Sequence, residues 1–289
     1  MPQSPNSPAA LSPAAGYSRL QVQSWREGTV AERDDFLAEE TPVALIYNSQ
    51  PHVVMMATPA DLEEFAVGFT LSEAIVDRAE DITALSVVAR DNGYEISLRI
   101  PEQRHAALSD RRRNLVGRSG CGLCGSETIA EALRPARHVP AGVSVAEHAL
   151  QRALAALREQ QAINAITGAT HAAGWADRDG QLRIVREDIG RHNALDKLIG
   201  AVTSAKLDFA RGFAVITSRA SYEMVLKSAT VGIPILAAIS APTALAVRIA
   251  EEAGLTLVGF ARGSNHVVYA CPARLLHTQK QSKLEPHSA

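Results

Sequence analysis

The sequence predicts an α/β protein: a largely parallel, helix-covered sheet, a smaller N-terminal α+β unit, and a flexible loop with two cysteines between them. Three observations predict this fold class. The final hundred residues alternate short apolar strands with helices, residues 28–105 show a hairpin and helix pattern, and the glycine-rich stretch GRSGCGLCGSE separates the two regions. The chain has 289 residues, of which 46% are hydrophobic, so it can bury a sizeable core.

Charge, hydropathy and cysteine content exclude several classes of protein. The formal net charge of −2 gives no overall positive field for nucleic acid or an anionic membrane. No stretch reaches the roughly 18 consecutive apolar residues of a membrane helix, and no secretory signal pattern is present. Three cysteines do not make a disulfide framework. We therefore expect a cytoplasmic protein with no nucleic-acid or membrane partner.

Three segments are predicted to lack a packed structure. The first 16 residues are rich in Pro, Ser and Ala, and we expect a disordered leader that ends at residue 27. Residues 277–289 have a similar composition and are predicted to form a disordered tail. The charged stretch from residue 101 to residue 118 lacks a sustained apolar period, so residues 106–130 are predicted to form a flexible basic loop.

The N-terminal unit is predicted to span residues 28–105. Two β-rich runs within residues 41–59 are separated by residues 48–51, which predicts a hairpin. The helix that follows has apolar residues at helical spacing and acidic residues in its first turn, with Thr58 as its predicted N-terminal cap. A strand is predicted at residues 94–100. The result is a small α+β unit.

The C-terminal domain is predicted to span residues 131–276. Ser144 and Glu147 form a capping-box pattern ahead of a helix, and Asp179-Gly180 predicts a hairpin turn. Three short apolar strands then alternate with helices, which favours a parallel sheet. The strands are predicted at residues 212–218, 233–240 and 255–261. In such sheets, ligands bind outside the carboxyl ends of the strands.

Two of these strand ends carry residue types that suit an anionic ring compound. The first reads TSR, and its Arg219 suits a planar anion or a phosphate. The third reads FARGSN, where Phe260 and Arg262 can stack on a purine or pterin face while binding phosphate. The alternative for Phe260 is a place in the hydrophobic core.

A dense polar motif, REDIGRHNALDKLIG, crosses a predicted strand-to-helix junction at residues 186–200. Its EDIGRHN portion sets a glycine turn, a cation, an imidazole and an amide beside a helix N-terminus, which can hold an oxyanion or phosphate. The alternative is a structural polar network, and His192 by itself is typical of a core or capping histidine. For Asp196 and Lys197 we favour a solvated helix start.

The cysteine pair leaves several interpretations open. A zinc site needs more ligands at short spacing, but the next cysteine after Cys121 and Cys124 is Cys271 in an apolar run, so we expect no structural metal. A thioredoxin-like dithiol usually begins a helix, whereas glycines flank this pair. We favour a nucleophile on a swinging loop, its thiolate stabilised by Arg118. A simple glycine-rich turn is the alternative.

Five motifs together resemble the FdhD family, the accessory sulfurtransferases of formate dehydrogenase. They are GCGLCG, REDIGRHNALDKLIG, TSRASYEMVLKSA, SAPTALAVRIAEEAGLTLVGFARG and TPADLEEFAVGFTLSEAIV. The resemblance covers residues 40–269. It implies a cytoplasmic sulfur carrier that takes persulfide sulfur from a cysteine desulfurase. The carrier then passes this sulfur to the molybdenum cofactor, Mo-bis(molybdopterin guanine dinucleotide), before that cofactor enters formate dehydrogenase.

The resemblance also implies roles for particular residues. Cys121 carries the persulfide and Cys124 assists it, as the two catalytic residues. The family's cofactor-binding stretch, which takes the cofactor as a substrate, maps to Phe260, Ala261, Arg262, Gly263, Ser264 and Asn265. To these cofactor-binding residues we add Ser218, Arg219 and His192 from the strand end and the polar motif described above. The C-terminal domain is implied to be a three-layer, cytidine-deaminase-like fold, and we expect a homodimer.

Two rival functions remain at this point. In the first, the protein is a non-catalytic chaperone that binds the molybdenum cofactor, and its cysteines only gate a cavity or contact a partner. In the second, the protein is a dithiol oxidoreductase in which Cys121 and Cys124 form a disulfide during turnover.

Overall fold

The computed structural model describes residues 16–113 and 135–277. The strands are β1 (Tyr17–Arg26), β2 (Thr29–Ala38), β3 (Thr41–Tyr47), β4 (Gln50–Ala57), β5 (Ala84–Arg90), β6 (Gly93–Arg99), β7 (Val145–Ala146), β8 (His171–Asp177), β9 (Leu182–Asp188), β10 (Gly212–Ile216), β11 (Ile235–Ala238), β12 (Thr256–Arg262), β13 (Asn265–Ala270) and β14 (Leu275–Leu276). The helices are α1 (Leu62–Ser72), α2 (Glu102–Arg113), α3 (Glu147–Glu159), α4 (Ala162–Thr167), α5 (Arg191–Ser204), α6 (Tyr222–Thr230) and α7 (Ala244–Ala253). Cys121 and Cys124 lie outside the described residues.

The chain enters the described structure through a two-stranded antiparallel ribbon. Strands β1 and β2 pair in register from Tyr17 opposite Ala38 to Arg26 opposite Thr29. The prediction of a disordered leader as far as residue 27 is therefore wrong for its last part. Alternating apolar and polar residues in β1 suit a strand, and Glu27 and Gly28, both at positive φ, make a two-residue hairpin turn.

A four-stranded sheet of order β4-β3-β6-β5 forms the rest of the N-terminal unit. The predicted hairpin is confirmed as β3 and β4, and Asn48 and Ser49 take the positive φ values of its two-residue turn. The predicted strand at residues 94–100 is confirmed as β6, which runs parallel to β3. One face of this sheet packs on α1 and contributes buried side chains to the core.

Helix α1 begins at Leu62 and not beside Thr58, so the predicted cap is wrong. Thr58 is buried, and its hydroxyl accepts a hydrogen bond from the backbone N–H of Ile189, 131 residues along the chain. The residue ahead of the helix is Asp61, in the left-handed conformation with φ of 54°. The hydroxyl of Thr58 is thus used by a tertiary contact and is not available as a cap.

Part of the predicted basic loop is helical. Helix α2 covers residues that we placed in the loop from position 106 onwards, so that boundary is wrong. Its segment is rich in Glu, Gln, Arg, Ala and Leu, which have high intrinsic helix propensity. His105 and Leu108, three positions apart on one side of the helix, are both buried.

The C-terminal domain contains a six-stranded sheet of order β13-β12-β11-β10-β8-β9. Strands β10, β11 and β12 are parallel neighbours, as predicted, but β8, β9 and β13 join through antiparallel pairs. The sheet is therefore mixed and not largely parallel. The turns between β8 and β9 and between β12 and β13 are short, and short turns can join only antiparallel strands. The hairpin predicted at Asp179-Gly180 is confirmed.

Helix α3 begins at Glu147 without the predicted capping box. Ser144 makes no cap, because Val145 and Ala146 are extended and pair with β14. The helix itself is confirmed, and its apolar side chains Leu150, Leu154 and Leu157 are buried.

Helices cover both faces of the six-stranded sheet. Helices α5, α6 and α7 pack on one face, with α1 and the N-terminal sheet beyond them, and α3 packs on the other face. The face under α5, α6 and α7 belongs to the larger buried cluster, which continues into the N-terminal unit. Because helices cover both faces of the sheet, a ligand can approach it at the ends of its strands.

Candidate functional site

One edge of the six-stranded sheet gathers most of the predicted site. Strands β9, β10, β11 and β12 all end there, and β8 begins there with His171, which pairs with Asp188. We call this the carboxyl edge. Helices α5, α6 and α7 follow β9, β10 and β11 and begin at the same edge. The first N–H groups of each helix have no acceptor within the helix, and they lie at the positive end of the helix dipole, which favours anions.

Backbone hydrogen bonds join the neighbouring loops of the carboxyl edge. The N–H of Ile239 donates to the carbonyl of Ile216 at 3.0 Å. The N–H of Phe260 donates to the carbonyl of Ser240 at 3.2 Å. The segments that follow β10 and β11 and the end of β12 therefore form one connected surface.

Phe260 is exposed on this surface. Its side chain is 49% exposed and its backbone has φ of 49°, an unusual conformation for a residue other than glycine. The pairing of β12 with β13 is irregular between Gly259 and Arg262, as in a β-bulge, which can redirect a side chain. The alternative that Phe260 belongs to the core is wrong. Its ring lies 6.5 Å from the ring of Tyr269.

The remaining residues of FARGSN form the end of β12, a tight turn and the start of β13. Arg262 is exposed, and its Nε donates to the carbonyl of Ile239 at 3.2 Å. Gly263 has φ of 56°, as the turn requires, and Ser264 and Asn265 are exposed. Ala261 is 1% exposed and packs in the cluster under α3. A ligand at this hairpin would thus meet the side chains of Phe260 and Arg262 but not that of Ala261.

The TSR segment divides between buried and exposed residues. Thr217 ties the end of β10 to β8, because its hydroxyl accepts from the N–H of Ala172 at 2.9 Å. Ser218 is buried, and its hydroxyl donates to the carbonyl of Arg219. Arg219 itself is exposed at the carboxyl edge. The structure therefore presents the arginine of this segment to solvent.

His192 joins the first turns of two helices. Its Nε2 lies 2.7 Å from Oε2 of Glu223, and both side chains are about one quarter exposed. This contact brings the N-terminus of α5 against that of α6. Glu223 was not recognisable from the sequence as a site residue, since the two partners are 31 positions apart and meet only through helix packing.

The acidic residues of the EDIGRHN motif are satisfied internally. Asp188 is buried and accepts hydrogen bonds from the N–H groups of Thr58 and Gly190, with Nζ of Lys197 at 2.8 Å. Glu187 is also buried, and its carboxylate accepts from the N–H groups of Ile163 and Asn164. For these two acids, the alternative of a structural polar network is correct.

Asp196 and Lys197 are not solvated, so that prediction is wrong. Their exposures are 1% and 0%, because α5 packs between the sheet and α1 and has no free face at this point. Lys227 reaches the carboxylate of Asp196 at 2.9 Å. Burial alone would lower the pKa of Lys227, but the carboxylates of Asp196 and Glu73 outweigh burial and raise it. Lys227 is therefore held as a buried cation.

Near the starts of α5 and α6 lie Arg191, which is the cation of the EDIGRHN motif, and two residues that the sequence did not identify as binding residues, His171 and Ser221. Burial lowers the pKa of His171, its Coulombic interactions with Arg191 and His192 lower it further, and Asp188 opposes them. His171 is thus favoured as a neutral imidazole. Nε of Arg191 and Oγ of Ser221 are buried and have no hydrogen-bond partner among the described residues.

The described residues contain no group of three or more His, Cys, Asp or Glu side chains placed to hold a metal ion. Since Cys121 and Cys124 lie outside them, our expectation of no structural metal stays a prediction. Within residues 16–113 and 135–277, no helix is long and apolar enough to cross a membrane.

These features define the class of protein. It is a mixed α/β protein whose carboxyl edge carries exposed arginines, helix N-termini and an exposed aromatic ring. The family model of FdhD/NarQ matches residues 38–276. The chain therefore belongs to the FdhD/NarQ family, which confirms the resemblance found in the motifs.

Individual relatives agree with the family match. The chain is 54% identical over 269 residues to the sulfur carrier protein FdhD of Xanthomonas euvesicatoria, covering 93% of this chain and 96% of that protein. It is 51% identical over 261 residues to the protein of the same name from Cupriavidus necator, covering 90% and 91%. A crystal structure from Desulfotalea psychrophila, assigned as a formate dehydrogenase accessory protein, has a TM-score of 0.70 and 25% identity. It covers 90% of this chain and 99% of that one.

Proposed function

We propose that this protein is a sulfur carrier required for formate dehydrogenase activity. The observation that carries the proposal is similarity over almost the whole chain to proteins named sulfur carrier protein FdhD, at 51–55% identity. The formate dehydrogenase accessory protein of similar fold supports the same role. Formate dehydrogenase is thus one partner, and a cysteine desulfurase is the proposed sulfur donor.

The proposed chemistry uses both cysteines of GCGLCG, and it rests on the sequence and the family resemblance. Cys121 receives one sulfur atom from the desulfurase and becomes a persulfide. The Cys124 thiolate then attacks the inner sulfur of Cys121, so that a Cys121–Cys124 disulfide forms and the outer sulfur leaves as sulfide for the molybdenum. The two thiol sulfurs supply the two electrons that reduce the outer sulfur, and a cellular thiol later reduces the disulfide.

The proposed acceptor is Mo-bis(molybdopterin guanine dinucleotide), bound as a substrate. The geometry of the carboxyl edge supports this, because fused rings call for an aromatic face, and phosphates for arginines and helix N-termini. Phe260, Arg262 and Arg219 are exposed there. Gly263, Ser264 and Asn265 complete the hairpin, and His192 lies at the adjoining helix start. Since Ser218 and Ala261 are buried, we propose that they contribute through their backbone.

Three finer expectations belong to the same proposal. The cytidine-deaminase-like arrangement is supported by helices on both faces and by a hairpin, β8–β9, followed in the chain by three parallel strands. We further propose that the protein is cytoplasmic and acts as a homodimer.

The first test replaces Cys121 with Ala in the full chain. We expect the C121A variant to lose formate dehydrogenase maturation in cells lacking the native protein, while purified C121A still binds GDP. The matched control is Cys271→Ala, which alters a cysteine of the described C-terminal domain and should leave maturation unchanged. Maturation retained by C121A would favour the alternative of a non-catalytic chaperone.

Mass spectrometry separates the carrier from the dithiol oxidoreductase. After incubation with a desulfurase and cysteine, the peptide that contains Cys121 should gain the mass of one sulfur atom. Loss of two hydrogen atoms, with no sulfur gain at any time point, would overturn the carrier mechanism.

A further inference from the structure

We infer that Arg191 and Ser221 form an oxyanion pocket between the N-termini of α5 and α6, which takes the phosphate groups of a guanine nucleotide. This inference rests on the proposed function and deepens it. It assigns phosphate recognition to residues outside the FARGSN hairpin.

Arg191 is a partly buried cation without a structural partner among the described residues. It is the first residue of α5, its Nε is buried, and no hydrogen-bond acceptor is supplied to this atom by the described residues. No described carboxylate forms an ion pair with it. Arg186 lies five positions earlier and is also partly buried. Its guanidinium is paired in the usual way, because two of its nitrogens donate to the Glu64 carboxylate. An unpaired buried donor is costly, so a site with one is suited to an outside acceptor.

Ser221 supplies a second unused donor at the start of α6, which the contact between His192 and Glu223 brings against the start of α5. It is the residue ahead of α6, but its side chain makes no capping hydrogen bond and its Oγ is buried without a partner among the described residues. The equivalent residue ahead of α7, Thr243, does cap its helix by accepting from the N–H of Ala246. The hydroxyl of Ser221 is thus free to donate to an anion.

The surrounding charges favour an anion between the two helix starts. Asp188 is already occupied by Lys197 and backbone N–H groups, and Glu223 lies against His192. Of the charged side chains at these two helix starts, Arg191 thus stays without a carboxylate partner among the described residues, and the two helix N-termini add the positive ends of their dipoles. The pKa of His171 is lowered mainly by burial and then by Arg191, which shows that the charge of Arg191 also reaches this histidine.

A phosphate or diphosphate matches this set of donors. A guanidinium offers parallel N–H groups to two oxygens of one phosphate, a hydroxyl offers one more donor, and helix N-terminal amides complete the pocket. The exposed ring of Phe260 lies on the same carboxyl edge, at the end of β12, which is two strands from β10, the strand that precedes α6. A nucleotide would therefore extend along the edge, with its phosphates at α5 and α6.

The test compares three ligands with the full-length protein by calorimetric titration: GDP, guanosine and inorganic pyrophosphate. We expect R191Q to bind GDP and pyrophosphate about 10- to 100-fold more weakly than wild type, because a charge-assisted hydrogen bond pair is lost. S221A should weaken both about 3- to 10-fold. Guanosine, which lacks phosphate, should bind all variants equally. The control is R211Q, an exposed arginine at the opposite end of β10.

The outcomes separate this inference from the proposed function. If wild type binds GDP and both R191Q and S221A bind it equally well, the pocket assignment is overturned and the cofactor role stands. If wild type binds pyrophosphate in an Arg191-dependent manner but shows no preference for GDP, the pocket stands and guanine-cofactor binding is overturned. Binding of neither ligand by wild type would overturn both.

Discussion

One buried lysine, Lys227, connects the N-terminal unit to the helices that cover the six-stranded sheet. Nζ of Lys227 on α6 lies 2.9 Å from Asp196 on α5 and 3.0 Å from the hydroxyl of Ser72 on α1. Glu73, just after α1, approaches the same ammonium to 2.9 Å. Lys227 and Asp196 are almost fully buried, so neither can exchange its partner for water. The pair therefore specifies how α1, α5 and α6 meet.

Removal of one partner of this pair should be strongly destabilising. K227M would leave the Asp196 carboxylate buried without its cation, and we expect a loss of about 3–5 kcal/mol in the free energy of unfolding. Urea denaturation of purified protein measures this loss. The double variant K227M/D196N should recover much of it, because the stranded charge is then gone. Equal stabilities of K227M and wild type would show that the pair contributes nothing.

Helices α1 and α5 cross with their backbones in contact. An added Cβ at Gly68 would lie 1.7 Å from the carbonyl oxygen of Asp196, and one at Gly200 would lie 1.9 Å from the carbonyl oxygen of Glu64. Neither neighbour is a flexible side chain that could move aside. These two glycines set the spacing between the N-terminal unit and the helix layer of the C-terminal domain.

Substitution of Gly200 by Ala should therefore destabilise the protein despite the better helix propensity of alanine. Propensity alone would favour Ala by about 1 kcal/mol in a helix interior. We expect instead a net loss of about 2 kcal/mol or more, because the backbones must separate and core contacts weaken. The control is S204A on an exposed position of the same helix. Thermal unfolding of the two variants measures the difference, and G200A as stable as S204A would contradict the close crossing.

The whole molecule is organised around one continuous core on the α1 side of the sheet. Buried residues of the N-terminal sheet, such as Leu45 and Ile96, belong to the same cluster as Ile216 and Leu257 of the C-terminal sheet. A smaller second cluster lies under α3 on the opposite face. The two units predicted from the sequence thus share apolar surface and do not have separate interiors.

The shared core predicts that both units unfold together. Differential scanning calorimetry of the full chain should show one main transition with equal calorimetric and van't Hoff enthalpies. The reason is that loss of either unit exposes apolar surface of the other. K227M should shift this transition to lower temperature without splitting it. Two resolved transitions would mean that the units are thermodynamically independent.

Local patterns determined a large part of the architecture. The hairpins at residues 48–49 and 179–180, the alternation of β10 to β12 with helices, and the cap at Thr243 depend on neighbours a few positions apart. For the same reason, the strand ends that carry Arg219 and Phe260 could be placed at one edge of a sheet in advance. The FdhD/NarQ motifs likewise follow from residue order alone.

Only the tertiary structure decided which polar residues serve the fold and which face solvent. Thr58, Asp196 and Lys197 look like surface or capping residues in sequence, but they bind partners 31 to 139 positions away inside the protein. The contact of His192 with Glu223, and the unpaired atoms of Arg191 and Ser221, likewise depend on how α5 and α6 pack. Sequence spacing determines local hydrogen bonds and periodicity, whereas burial depends on distant segments that meet only when the core forms.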